Sequence, residues 1–188
     1  MMPEPVKVIL GAGEQRWDGW MPTQQEELDV TKPESFASYF GDTQADAFLC
    51  EHVWEHLHPH EATAGAKLVF DYLKPGGFLR VAVPDGNHPD PAYLALVAVH
   101  GPGPAADHQV LYTLDKFSSV FKQAGFTVRP LEWWDEQREF HRTAWDADVA
   151  PVYRSSKLDH RNTAWREGRG PLGFTSLILD AVKEAGGV

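Results

Sequence analysis

The run from Asp46 to Val83 constrains the fold of this chain more than any other stretch. Asp46 to Cys50 is a short apolar run with the character of a buried strand. Pro59 to Leu73 carries Ala62, Ala66, Leu68, Val69, Tyr72 and Leu73 at helical spacing and closes on Lys74-Pro75-Gly76-Gly77. Phe78 to Val83 reads as a second strand, halted by Pro84-Asp85-Gly86. Strand, helix, glycine-rich turn and strand make a βαβ unit, whose parallel crossover is right-handed in nearly all proteins. The expected fold is therefore α/β, with a doubly wound, mostly parallel sheet.

The flanking sequence extends this unit in both directions. Val6 to Leu10 is a compact aliphatic run ended by Gly11-Ala12-Gly13, as expected of a buried parallel strand and its exit turn. Trp20-Met21-Pro22-Thr23 is a candidate short strand that Pro22 confines to an edge or an end. Pro33 opens a short helix through Phe36, Tyr39 and Phe40 that stops at Gly41. Pro89 to His100 is partly helical and gives way to the loop Gly101-Pro102-Gly103-Pro104. Leu114 to Ala124 resumes helical spacing, with Gly125 as its stop and Phe126 to Trp134 as the next strand. Residues 135–170 show no period and are expected to form a long irregular insertion, and Phe174 to Val182 the final strand. At 188 residues the whole chain, 1–188, fits one domain.

Composition narrows the function. Twenty-seven acids against 17 bases give a formal charge of −10, which argues against binding nucleic-acid backbone and leaves small molecules or proteins as substrates. No apolar run reaches the roughly 18 residues of a membrane span. The opening MMPEPVKVILGAG has neither a basic head nor a long apolar stretch, and Cys50 is the single cysteine, so a cytoplasmic location is expected. Bases concentrate late in the chain, from Arg138 to Arg169, either as a solvated surface or as an anion-binding lid.

The chemistry concentrates in Asp46 to Leu57, DAFLCEHVWEHL. Its polar end sits at the carboxyl end of a strand, where open α/β sheets place their ligands. His52 to His56 also spells H-x-x-E-H, which on a helix would set two imidazoles one turn apart on zinc. That template needs a helix through both histidines, yet the motif abuts a strand and is followed by His58-Pro59, so no metal is expected. On this reading Cys50, Glu51 and His52 reach a ligand, while Trp54, Glu55 and His56 anchor the following turn and helix.

Several motifs in order carry a family resemblance: Leu10-Gly11-Ala12-Gly13 with Gly19-Trp20, the Glu51 to Leu57 run, Leu73-Lys74-Pro75-Gly76-Gly77, and Val83-Pro84-Asp85. Together they resemble a class I S-adenosylmethionine-dependent methyltransferase over roughly residues 6 to 134, with Ser176 to Lys183 as its last strand. The resemblance implies a seven-strand Rossmann-like sheet, S-adenosyl-L-methionine as cofactor and a small-molecule acceptor. It implies cofactor contacts at Gly11, Ala12, Gly13, Gln24, Asp29, Cys50, Glu51 and His52; position, just past a strand end and after the Gly-Pro loop, makes His52 and His108 the catalytic candidates. His141 and Asp159-His160-Arg161 are further candidates for the acceptor pocket. Trp145 and Trp165 either wall that pocket or fill core, and Trp133 and Trp134 are assigned to core.

The chain departs from the family pattern in three places. Ile9 stands where an acid is common, Gln15 where a third glycine is, and Gln24 where a carboxylate takes the ribose hydroxyls. An amide is a poorer acceptor for two hydroxyls than a carboxylate. Two alternatives therefore stay open: a methyltransferase-like binding or regulatory domain without catalysis, and a zinc hydrolase using H-x-x-E-H.

Overall fold

The computed structural model describes residues 4–159 and 172–186. It contains one seven-strand sheet in the order β2-β1-β3-β4-β7-β5-β6. The strands are β1 (Lys7–Leu10), β2 (Met21–Pro22), β3 (Ala45–Glu51), β4 (Leu73–Pro84), β5 (Thr127–Trp134), β6 (Phe140–Arg142) and β7 (Ser176–Val182). Four helices join them: α1 (Pro33–Phe40), α2 (Pro59–Tyr72), α3 (Pro91–Val97) and α4 (Leu114–Gln123). The order runs outward from β1 on both sides, the winding expected from the βαβ unit. β1, β2, β3 and β4 pair in parallel, while β7 inserts antiparallel between β4 and β5.

β4 follows α2 directly, and the Lys74–Gly77 stretch expected as a turn lies within its first residues, where the register against β3 shifts and the backbone is one that only glycine supplies comfortably. Gly76 has φ +84, and its N–H donates to Lys183 O at 2.7 Å. A side chain on Gly77 would meet Asp46 O at 2.8 Å. The Lys74-Pro75-Gly76-Gly77 segment is thus structural, as its sequence suggests.

The two sheet faces are covered differently. Strand residues alternate between them, so Val8, Leu10, Phe48, Cys50, Leu79 and Val81 face one side and Ile9, Ala47, Leu49 and Ala82 the other. Helices α1, α2 and α4 all pack on the first side, through Phe36, Phe40, Ala66, Val69, Phe117 and Phe121. The second side is covered by the 143–159 segment, which contributes Trp145, Ala150 and Val152. The expected irregular insertion accordingly includes a short strand, β6, and serves as a sheet cover. Trp134 lies in the core as assigned, and so does Trp145; Trp133 packs at the core's edge. His160, Arg161 and Trp165 lie outside the described residues.

Candidate functional site

The carboxyl ends of β1, β2, β3 and β4 open onto two adjoining cavities. The first, about 600 Å³, is bounded by Gly11 after β1, residues 24–31 after β2, and His52 and Val53 after β3. The second, about 550 Å³, lies between the end of β4, helix α3 and the 102–108 loop, and reaches Arg154 and Phe174. His52 and His56 line both. A third cavity, about 640 Å³, lies on the far side of the glycine turn against Tyr153.

The first cavity's floor is a sharp turn at the end of β1. Gly11 and Gly13 have φ +59 and +52. A Cβ on Gly11 would sit 2.6 Å from Val53 Cγ2, so backbone alone fits between β1 and the cavity wall. Gln24 holds this turn: Gly13 N–H donates to Gln24 Oε1 at 3.2 Å, and Gln24 Nε2 donates to Gly13 O at 2.9 Å. Ala12 is buried beneath, its N–H donating to Thr23 O at 2.8 Å. Asp29 lines the cavity, but Oδ1 already accepts from Thr31 N–H at 2.8 Å and Thr31 Oγ1 at 2.7 Å. Burial pushes the Asp29 carboxyl up; the Thr31 bonds outweigh it and hold the group below its ordinary value.

The strand end distributes its residues against expectation. Cys50 points into the helix-covered core, fully buried, and lines no cavity among the described residues; burial pushes its thiol well up. Glu51, one residue on, faces the opposite side by strand alternation. Its carboxylate accepts from Arg154 N–H at 2.7 Å, Tyr153 N–H at 2.9 Å and Gln15 Nε2 at 2.7 Å, so it clasps the 143–159 cover and borders the third cavity rather than the first. Gln15 thereby holds Glu51 in place of the glycine that the family pattern has there.

His52 escapes the alternation because its φ is +59, a left-handed conformation uncommon outside glycine. The turn carries its imidazole to the boundary of the two cavities. Nδ1 lies 2.9 Å from Glu55 Oε1 and Nε2 2.9 Å from Ser176 Oγ on β7. Burial, with Arg154 nearby, drives His52 down to about 3, so it is neutral at pH 7. A group that holds a proton so weakly is a poor general base at neutral pH, which revises the catalytic role expected of it toward positioning. Burial raises Glu55 to about 7.

The turn after His52 holds what the sequence reading passed over. Trp54 does anchor α2, fully buried with Nε1 donating to Ala62 O at 3.1 Å. Glu55 and His56 instead face the second cavity, and Glu55 O accepts the N–H groups of Gln109 and Val110, tying the loop that brings His108 to the same wall. His108 Nδ1 donates to Val97 O at 3.0 Å. His141 lies apart on the edge strand, stacked on Trp133 and 2.6 Å from Asp135. Spacing could not reveal the Glu55–His56–His108 convergence, since His108 is more than 50 residues away in the chain.

A family model described as a methyltransferase domain matches residues 8–131, about two thirds of the chain. The chain belongs to this methyltransferase family. No curated protein sequence matches it significantly. Among solved structures, this methyltransferase is similar to a complex of the Haloferax volcanii Trm112 methyltransferase activator with a methyltransferase (14% identity, 98% of this chain and 84% of that one, TM-score 0.52). It is also similar to a Thermotoga maritima S-adenosylmethionine-dependent methyltransferase (12% identity, 98% and 84%, TM-score 0.50) and to the methyltransferase SibL (14%, 96% and 43%, TM-score 0.51). At these identities the likeness speaks for the fold.

The cofactor of this methyltransferase is S-adenosylmethionine, and the first cavity fits it. Its volume lies within the range of small-molecule sites, its floor is bare glycine backbone, and Glu26, Asp29 and Glu61 give it an acidic wall suited to a cationic sulfonium and ammonium. The missing acid at Gln24 is not replaced at that position, because the amide is committed to the glycine turn.

Proposed function

We propose that the chain transfers the methyl group of S-adenosylmethionine, seated in the first cavity, to a small molecule in the second. The observation that carries this reading is the shared wall: two cavities of molecular size meet at His52 and His56. S-adenosylmethionine supplies an already activated methyl group, so the protein's work is to align donor and acceptor and to exclude water. Gly11 gives close approach to the donor, Asp29 and Glu26 border its polar portion, and His52, held by Glu55 and Ser176, sets the junction. Tyr93, Val97 and Phe174 give the acceptor cavity an apolar body, with Arg154 and His108 as polar contacts. These features suit an acceptor with a hydrophobic body and a polar or anionic head.

Calorimetric titration with S-adenosylmethionine and its demethylated product tests this directly. Binding of both is expected; no binding of either at millimolar concentration sinks the proposal. Gly11→Ala should weaken binding about tenfold or more, because the added methyl meets Val53 and the positive φ is unfavourable for alanine. Adding Val53→Ala should restore part of it. The commitment of Gln24 to Gly13 favours one alternative, a domain that binds the cofactor without turning it over. Binding with no methyl transfer to any acceptor in a broad small-molecule panel would support that alternative.

A further inference from the structure

We propose that Glu55, His56 and His108 form a site for one divalent ion of the Zn²⁺ class, with its open coordination positions facing the second cavity. One potential ligand atom from each residue lies within 4.8 Å of the other two, and all three residues line that cavity. Two imidazoles and a carboxylate are the donor set of borderline divalent metals, and three protein ligands leave room for an exogenous donor.

The surroundings of the three residues suit an ion as well as their proximity does. His108 Nδ1 faces Val97 O, which can only accept, so Nδ1 carries the proton and Nε2 is left with its lone pair. His56 Nδ1 lies 2.9 Å from an Asp107 carboxylate oxygen but makes no hydrogen bond among the described residues, and Nε2 turns toward Glu55, 4.0 Å from Oε1. Glu55 Oε1 is held by His52 Nδ1, while buried Oε2 has no hydrogen-bond partner among the described residues. A carbonyl orients the His108 imidazole and a histidine orients the Glu55 carboxylate, the outer arrangement that metal ligands need, and the Asp107 charge lies beside His56. A buried carboxylate oxygen without a partner is costly unless something binds it. With metal–ligand bonds of about 2.1 Å, the donors close by about 1 Å or so on binding, within the reach of side-chain rotation.

The H-x-x-E-H pattern is thus split. Its glutamate and second histidine are ligands, His108 replaces the first histidine, and His52 becomes the residue that holds the glutamate. No metal was expected from the sequence because a helix was required; a short 3-10 turn over Trp54–His56 and a distant loop take its place. Describing the ion as a contact for the acceptor's oxygen, nitrogen or sulfur atoms rests on the function proposed above. Metal binding itself does not.

Titration of the chelator-stripped full chain with Co²⁺, followed by visible absorption, tests the site. Saturation at one equivalent is expected, with loss of the signal in His108→Ala and in Glu55→Gln. Asp107→Asn should weaken binding about 10- to 100-fold; Asp107 is 74% exposed, so this change leaves the fold intact even where His108→Ala does not. His141→Ala, which breaks the other potential ligand group (Asp135, Glu139 and His141), should change nothing. Absence of saturable Co²⁺ binding overturns the proposal. So does binding unaltered by Asp107→Asn, or binding abolished by His141→Ala. Parallel titration with S-adenosylmethionine reads the cofactor cavity separately, so failure of one proposal is distinguishable from failure of the other.

Discussion

On one face of the sheet, three helices interlock with the strands through residues such as Phe36, Phe117 and Phe121 against Phe48; on the other, Glu51, Arg80 and Glu132 reach out of the strands to the backbone of residues 143–159. Helices satisfy their own backbone and need only apolar contact to stay in place. A cover without helices arrives with unpaired N–H and C=O groups, and the sheet must supply partners for them. Arg80 donates to Asp146 O at 2.9 Å and Ala150 O at 2.6 Å while its other nitrogens bind Asp180. Glu132 accepts from Ser156 N–H at 2.8 Å and Trp145 Nε1 at 3.0 Å. Buried charge thus does on one face what dispersion does on the other. Directional bonds of this kind fail locally, whereas an interlocked aromatic core fails as a whole.

Perturbing each face in turn tests this contrast. Phe121→Ala, at a fully buried ring touching Trp54, Phe117 and Phe126, should cost about 3–5 kcal/mol and lower the urea midpoint equally by all spectroscopic probes. Arg80→Met leaves Asp180 and two carbonyls unpaired, which should cost about 3 kcal/mol. Hydrogen exchange should then rise first in residues 143–159; a uniform rise across the chain would break the contrast.

Asp85 joins the two halves of the sheet at the ends of β4 and β5, accepting Trp134 N–H at 2.8 Å, and burial raises it to about 6. A carboxyl raised in the folded state binds its proton more tightly there than in the unfolded chain. Its contribution to stability is complete below about pH 4 and is lost as pH rises to about 6. The loss is on the order of 3 kcal/mol, and a pH series of denaturation midpoints should show this component flattened in Asp85→Asn. The smallest effect is expected for Glu51→Gln, which weakens three charge-assisted bonds and should cost about 1–2 kcal/mol. Limited proteolysis should then cut within 143–159 while the helical face stays resistant.

Local pattern determined much of this protein. Apolar runs and glycine stops placed β1, β3, α1, α2 and α4 within a few residues, because period and turn chemistry are properties of neighbouring residues, while β4, expected from Phe78, begins at Leu73 and includes the expected glycine turn. The family motifs identified the methyltransferase fold and the glycine turn. Side-chain direction is not a property of local pattern. Cys50 and Glu51 are adjacent to His52, yet strand alternation sends one into the core and the other to the loop cover, and only the positive φ at His52 releases the next side chain toward the cavities.

Local pattern makes Glu55 and His56 anchors, because after a strand it says only that a helix follows. It was the tertiary structure that decided their role. The 109–110 backbone binds Glu55 O and draws His108 against them, and no local rule encodes a partner so far along the chain. Sequence determined which elements form, since those depend on short-range geometry; the meeting of side chains at the site depends on how the elements pack.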